Sequence, residues 1–65
     1  MNSSAYILWN RIKKQVNDSK NVTGICSLDG TISGIRAANE LNEAGFITII
    51  HVNKYELEYK VNFTI

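Results

Sequence analysis

From Leu57 onward the sequence alternates without a break. Leu57, Tyr59, Val61, Phe63 and Ile65 fall on one parity, and Glu58, Lys60, Asn62 and Thr64 on the other. A period of two sends successive side chains to opposite faces of a pleated backbone, so this segment predicts a half-buried strand with one solvated side. Such a strand needs a cover over its apolar face. The rest of the chain must supply it.

Just upstream, Phe46-Ile-Thr-Ile-Ile-His-Val52 is apolar at nearly every position. It reads as a second strand covered on both faces, joined to the last by a turn over Asn53 to Glu56. Farther back, Val22-Thr-Gly-Ile-Cys-Ser-Leu28 is a β-branched run followed by Asp29-Gly30, a hairpin or tight-turn signal. We expect one short strand here and a turn that delivers the chain to a helix.

Two helical patterns remain. Ala5, Leu8, Trp9, Ile12 and Val16 recur at helical spacing, which predicts a helix over roughly residues 4–18 with Ser3 and Ser4 as N-cap candidates. Its opposite face, with Asn10, Arg11, Lys13, Lys14 and Asn17, is the most basic stretch of the chain, and the helix should fade in the polar run Asn17 to Asn21. In the second pattern Ile35, Ala38 and Leu41 follow at intervals of three, with Ala37 and Ala44 beside them. Thr31 or Ser33 is placed to cap it, and Gly45 to end it in a left-handed conformation. The predicted fold is therefore α/β: a small α-β-α-β-β domain with two helices packed on a short mixed or antiparallel three-stranded sheet.

At 65 residues this is one domain. A chain so short buries only about 60% of the surface its unfolded form exposes. Disulfides cannot supplement that core, since Cys26 is the only cysteine, and one Cys with one His cannot make a structural zinc site. A partner is the remaining source of stability. Hydrophobic content of 45% and charged content of 20% suit a globular chain, and the formal net charge of +1 is low for a protein that finds RNA unaided. No apolar run approaches the roughly 20 residues of a membrane span. The N-terminus shows neither a secretory nor a transit pattern, so the chain is expected to stay where it is made. Heavy use of Ile and Asn without Pro is the bias of an AT-rich genome.

Enzymatic chemistry finds little footing. His51 is a lone imidazole in an apolar strand, read as a sheet position with a satisfied polar tip, and no nucleophile stands in a triad-like pattern. Cys26 lacks a basic neighbour in sequence that would mark a reactive thiolate. Glu40 and Glu43 are helix-surface carboxylates without a metal motif. The scattered glycines form no phosphate-cradling loop. We expect no catalytic residues, no cofactor, no metal and no small-molecule substrate.

Three stretches resemble the N-terminal domain of bacterial-type small-subunit ribosomal protein eight. Trp9-Asn-Arg-Ile12 followed by Lys13 stands where that family has a Leu-Thr-Arg-Ile-Arg type of segment. Val22-Thr23, with Ser27 five residues after Val22, matches its first strand and the serine after it. The most specific block is Glu40-Leu41-Asn-Glu-Ala-Gly45-Phe46-Ile47, then Val52, then Glu56-Leu57-Glu58-Tyr59 and Phe63. It is similar to the family's Leu-Lys-Glu-Glu-Gly-Phe-Ile, strand, turn and Glu-Leu-Glu-Leu strand in order. The resemblance covers nearly all of the chain, and the family's domain has the same α-β-α-β-β order.

There are departures. The family usually has a Pro in the first strand, Leu28 replaces the Lys after its serine, and about four extra residues lie around Leu28 to Thr31. The family also has a second half, with a Ser-Thr-Ser-x-Gly type loop that carries much of the RNA contact. The resemblance implies that this half is lost or supplied by a separate chain. A shortened, AT-biased, presequence-free version points to an organelle-encoded, mitochondrial product, with a cytoplasmic location as the alternative.

What the resemblance implies is a structural constituent of the small ribosomal subunit. It would bind ribosomal RNA and neighbouring ribosomal proteins, of which proteins two and five are the family's suggestion. Arg11, Lys13 and Lys14 would neutralise phosphates, and read alone they would be an ordinary solvated helix face. Arg36 would meet a phosphate at the start of the second helix. Ser27, Thr31 and Ser33 would donate to phosphate or a ribose hydroxyl, although helix capping is the favoured reading for Thr31 and Ser33. Trp9 and Phe46 fall on apolar stripes and are expected in the core. Tyr55 and Tyr59 are more open to interface roles, though Tyr59 shares its strand's inward side.

Two other functions compete. A winged-helix DNA-binding regulator of phage or plasmid type also has a helix ending Leu-x-x-x-Gly-x-Ile that runs into a two-stranded wing, as Leu41 to Ile47 would. Such a domain needs a short helix where residues 22–30 read as strand and turn, and more base-reading side chains than Arg36 alone. A small inhibitor or adaptor domain using the open sheet face is the third.

Overall fold

A computed structural model describes residues 3–62 and shows helix α1 (Ser3–Ser19), strand β1 (Thr23–Ser27), helix α2 (Ile32–Glu43), strand β2 (Ile47–Val52) and strand β3 (Glu56–Val61). The sheet is antiparallel throughout in the order β1-β3-β2, so the last strand in sequence is the central one. Both helices pack on one face of it. The predicted α/β architecture is the observed one, with the sheet antiparallel rather than mixed.

The core forms where the two periodicities meet. All five residues of the first helical stripe, Ala5, Leu8, Trp9, Ile12 and Val16, are buried. They face Leu57, Tyr59 and Val61, the inward parity of β3, together with Cys26, Ile47, Ala37, Ala38 and Leu41. Phe63 and Ile65, which continue the alternation, lie outside the described residues. Trp9 stacks on Phe46 with ring centroids 5.0 Å apart and planes 15° from parallel, a near-parallel arrangement aromatic pairs tolerate when offset. Ile35 is only half-buried and Ala44 is exposed, so the inner face of α2 is narrower than its spacing predicts.

Element ends follow local chemistry. The first helix already includes Ser3 and Ser4, so neither of these N-cap candidates is the cap. The helix stops at Lys20, whose φ of 59° is left-handed and whose N–H donates to the Val16 carbonyl at 2.8 Å. Thr31 does occupy the N-cap of α2, but its hydroxyl makes no capping bond; it donates to Asp29 Oδ1 at 2.7 Å instead. Ser33 lies inside the helix. At the other end Gly45 has the expected left-handed backbone, with φ of 86°.

The second strand departs from the sequence expectation. It is an edge strand, and only Ile47 of its six residues is buried; Ile50 is 55% exposed. Helices cover one sheet face only, so an apolar run here cannot be enclosed on both sides. A register irregularity between Ile49 and His51 leaves Ile50 without a partner in the ladder, which is how two isoleucines and a histidine follow one another at the rim.

Candidate nucleic-acid and protein interface

Helix α1 lies along the free edge of β1 and closes part of it with side chains. Along β1 and its two flanking residues, Val22, Gly24, Cys26 and Leu28 turn their backbone groups to the central strand, as the bonds Val61 N–H to the Val22 carbonyl (2.8 Å) and Leu28 N–H to the Tyr55 carbonyl (2.9 Å) show. Thr23, Ile25 and Ser27 therefore turn their backbone groups outward. Arg11 Nη2 donates to the Ser27 carbonyl at 2.8 Å, Gln15 Nε2 donates to the Ile25 carbonyl at 2.8 Å, and Thr23 N–H donates to Asn21 Oδ1 at 3.2 Å. On the far edge, Ile49 N–H donates to Asn42 Oδ1 at 3.1 Å. Capped edges resist pairing with another strand.

The turn after β1 is built from the two residues that signal it. Asp29 Oδ1 accepts from the N–H of Thr31 at 3.0 Å and from its hydroxyl, and these bonds hold the carboxyl below its ordinary range. Gly30 has φ of 83° and donates its N–H to the Lys54 carbonyl at 2.9 Å. A Cβ there would come within 3.2 Å of the Tyr55 ring. Loop and hairpin tip are thus sewn together. Within the hairpin, Asn53 Oδ1 accepts from the N–H groups of Tyr55 and Glu56 at 2.8 and 3.0 Å.

Between the N-terminal halves of the helices and this loop lies an open cleft of about 180 Å³. Ile7, Leu8, Leu28, Gly34 and Ala37 give it an apolar floor and wall, and Arg11, Asp29, Ser4 and Ser33 a polar rim. Of the predicted contacts, Arg11 and Ser33 meet here, Ser27 is tied in through Arg11, and Thr31 through Asp29. The others stand apart. Lys13 lies over the Trp9 ring, 5.9 Å from its centroid, a distance at which a cation is held by the ring face. Lys14 and Arg36 are exposed and do not line the cleft.

Sequence reasoning missed two members of this region. Gln15 carries no local signal, because its partner is ten residues away in sequence. Cys26, read as lacking a basic neighbour, has one in space: the Arg11 charge favours its thiolate, but burial outweighs this and pushes the thiol above its ordinary value. His51 is exposed with Nε2 3.5 Å from Asn53 Nδ2, too long for a firm bond. Tyr59 is fully buried and its hydroxyl has no hydrogen-bond partner among the described residues; Tyr55 is 72% exposed. Among the described residues no group of three His, Cys, Asp or Glu side chains is placed to hold a metal, and no helix is long and apolar enough to cross a membrane. In comparisons with known proteins, no family model, no curated protein and no solved structure matches the chain.

Proposed function

We propose that this chain is a scaffold component of a small ribosomal subunit, holding ribosomal RNA along helix α1 and the start of α2 and neighbouring proteins at the β2–β3 hairpin. The observation that carries the reading is the state of residues 23–27. They are extended and pair with β3 in one sheet, as the resemblance to ribosomal protein eight requires and as a helix-turn-helix does not. The outer side of α1 offers Arg11 and Lys14, with Lys13 held over Trp9. Arg11 spends one nitrogen on Ser27 and retains further donors for a phosphate. A mitochondrial ribosome is part of the same proposal.

A second reading is favoured by a different observation. Helix α2 exposes Ser33, Arg36 and Asn39 and runs through Gly45 directly into the hairpin, the helix-then-wing succession of a winged-helix DNA-binding regulator. Weighing against it, among the described residues no helix lies between β1 and α2, and the exposed side of α2 has one cation.

Cosedimentation separates the two. The chain is expected to travel with small ribosomal subunits in a density gradient, and Lys14→Glu to reduce its recovery severalfold. Lys14 is the better probe than Arg11, whose loss would also uncap β1. Recovery with duplex DNA and absence from the subunit peak would overturn the ribosomal reading in favour of the second.

A further inference from the structure

The cleft beside Arg11 is poorly suited to RNA at its centre. Its floor is aliphatic, and the Asp29 carboxylate on its rim opposes phosphate. What would fill it is an aliphatic side chain flanked by one anion and one cation. The same surface presents that set: Ile7 lines the cleft with 60% of its surface exposed, and Arg11 on α1 and Asp29 on the loop line it too. A patch that offers both a projecting apolar group and a cavity, and both charges, is complementary to itself under a two-fold axis.

We infer that the chain associates with a second copy of itself through this cleft, each Ile7 entering the other copy's cleft and each Arg11 facing the other copy's Asp29. The geometry within one copy leaves these groups available. Arg11 uses Nη2 on Ser27, leaving donors on its other nitrogens. Asp29 accepts through Oδ1 from Thr31, with Oδ2 outside those bonds. On the β1 edge, nearest the cleft, side chains already occupy the outward groups of Thr23, Ile25 and Ser27, which disfavours strand addition there. The inference is independent of the ribosomal reading. If both hold, RNA and the second copy compete for Arg11, and the dimer is the form of the chain off the subunit.

Sedimentation of the purified full chain from about 10 μM to about 1 mM, a range that covers weak association, tests this directly. The expected result is a monomer–dimer equilibrium that weakens with salt. Ile7→Glu, at a position with no hydrogen-bonding role, should abolish it while leaving the circular dichroism spectrum unchanged. Asp29→Asn, which removes the charge but keeps an Oδ1 acceptor for Thr31, should raise the dissociation constant about tenfold. A chain that stays monomeric at about 1 mM overturns the inference, as does a dimer indifferent to Ile7→Glu. So does protection of Ile7 only when an RNA oligonucleotide is added. Because Ile7→Glu leaves Lys13, Lys14 and Arg36 in place, cosedimentation with ribosomal subunits reports separately on the ribosomal reading.

Discussion

Of the four glycines, Gly24 has the closest neighbour, Tyr59. The Tyr59 ring reaches under β1, where a Cβ on Gly24 would lie 2.8 Å from its hydroxyl oxygen and 3.1 Å from Cζ. Glycine is required there because a rigid, fully buried ring has nowhere to move. Gly24→Ala is expected to cost about 1–3 kcal/mol, the usual penalty of overpacking, measured by urea denaturation. Tyr59→Phe removes a buried hydroxyl that has no partner, so it should be neutral or stabilising by up to about 1 kcal/mol, and it should recover part of the Gly24→Ala loss. A large loss from Tyr59→Phe would mean that the hydroxyl is bonded in solution. The same side chain sets the alkaline limit. Burial pushes the Tyr59 phenol above its ordinary value of 10.0, with Cys26 beside it adding to the shift, and burial pushes the Cys26 thiol above 9.0 against the pull of Arg11. The unfolded chain therefore sheds these protons first as pH rises. The contribution of these two groups should be level below pH 9.0 and decline above it through the raised values of the folded state. Tyr59→Phe should flatten the part of that decline that begins near 10.0.

At the scale of elements, the contact between α1 and the β1 edge is what periodicity alone does not convey. The apolar stripe of the first helix and the alternation of the last strand translate directly into burial, because each rests on a repeat within one element. The Arg11–Ser27 and Gln15–Ile25 bonds span 16 and ten residues, and the polar face of a helix gives no sign of which of its members will reach a strand. The same reasoning explains β2. Its apolar run is legible, but whether a strand lies at an edge depends on the order β1-β3-β2, which no local pattern encodes. Of the candidate contacts, Arg11 and Ser33 were brought to one cleft while Lys14 and Arg36 were left apart from it. Gln15→Ala should cost about 0.5–1.5 kcal/mol by removing one exposed hydrogen bond, and Gln15→Glu more, since it sets a carboxylate against the Ile25 carbonyl. Thermal denaturation checks both. A Gln15→Ala variant as stable as the unaltered chain would show that the bond contributes nothing in water.

For the whole molecule, charge is spread thinly and function must be read in that light. Seven Lys and Arg against six Asp and Glu leave a net +1, so any affinity for RNA comes from a local surface rather than a global field. If about three phosphates are met by α1 and the start of α2, the logarithm of the binding constant should fall with the logarithm of salt at a slope of about −2 to −3. A filter-binding titration over several salt concentrations measures it. A slope near zero would remove the electrostatic basis of the ribosomal reading. A much steeper one would require cations that this surface does not possess.

The position of β3 bears on how the chain is made. Both other strands bond to it, yet it is translated after them. While synthesis proceeds from residue 1 to residue 55, the apolar sides of α1, β1 and β2 have no sheet to rest on. Neither ladder can form until residues 56–61 have been made, and then both close on one template. A product interrupted before residue 56 would have both helices but no sheet, leaving the apolar sides of β1 and β2 open to proteases.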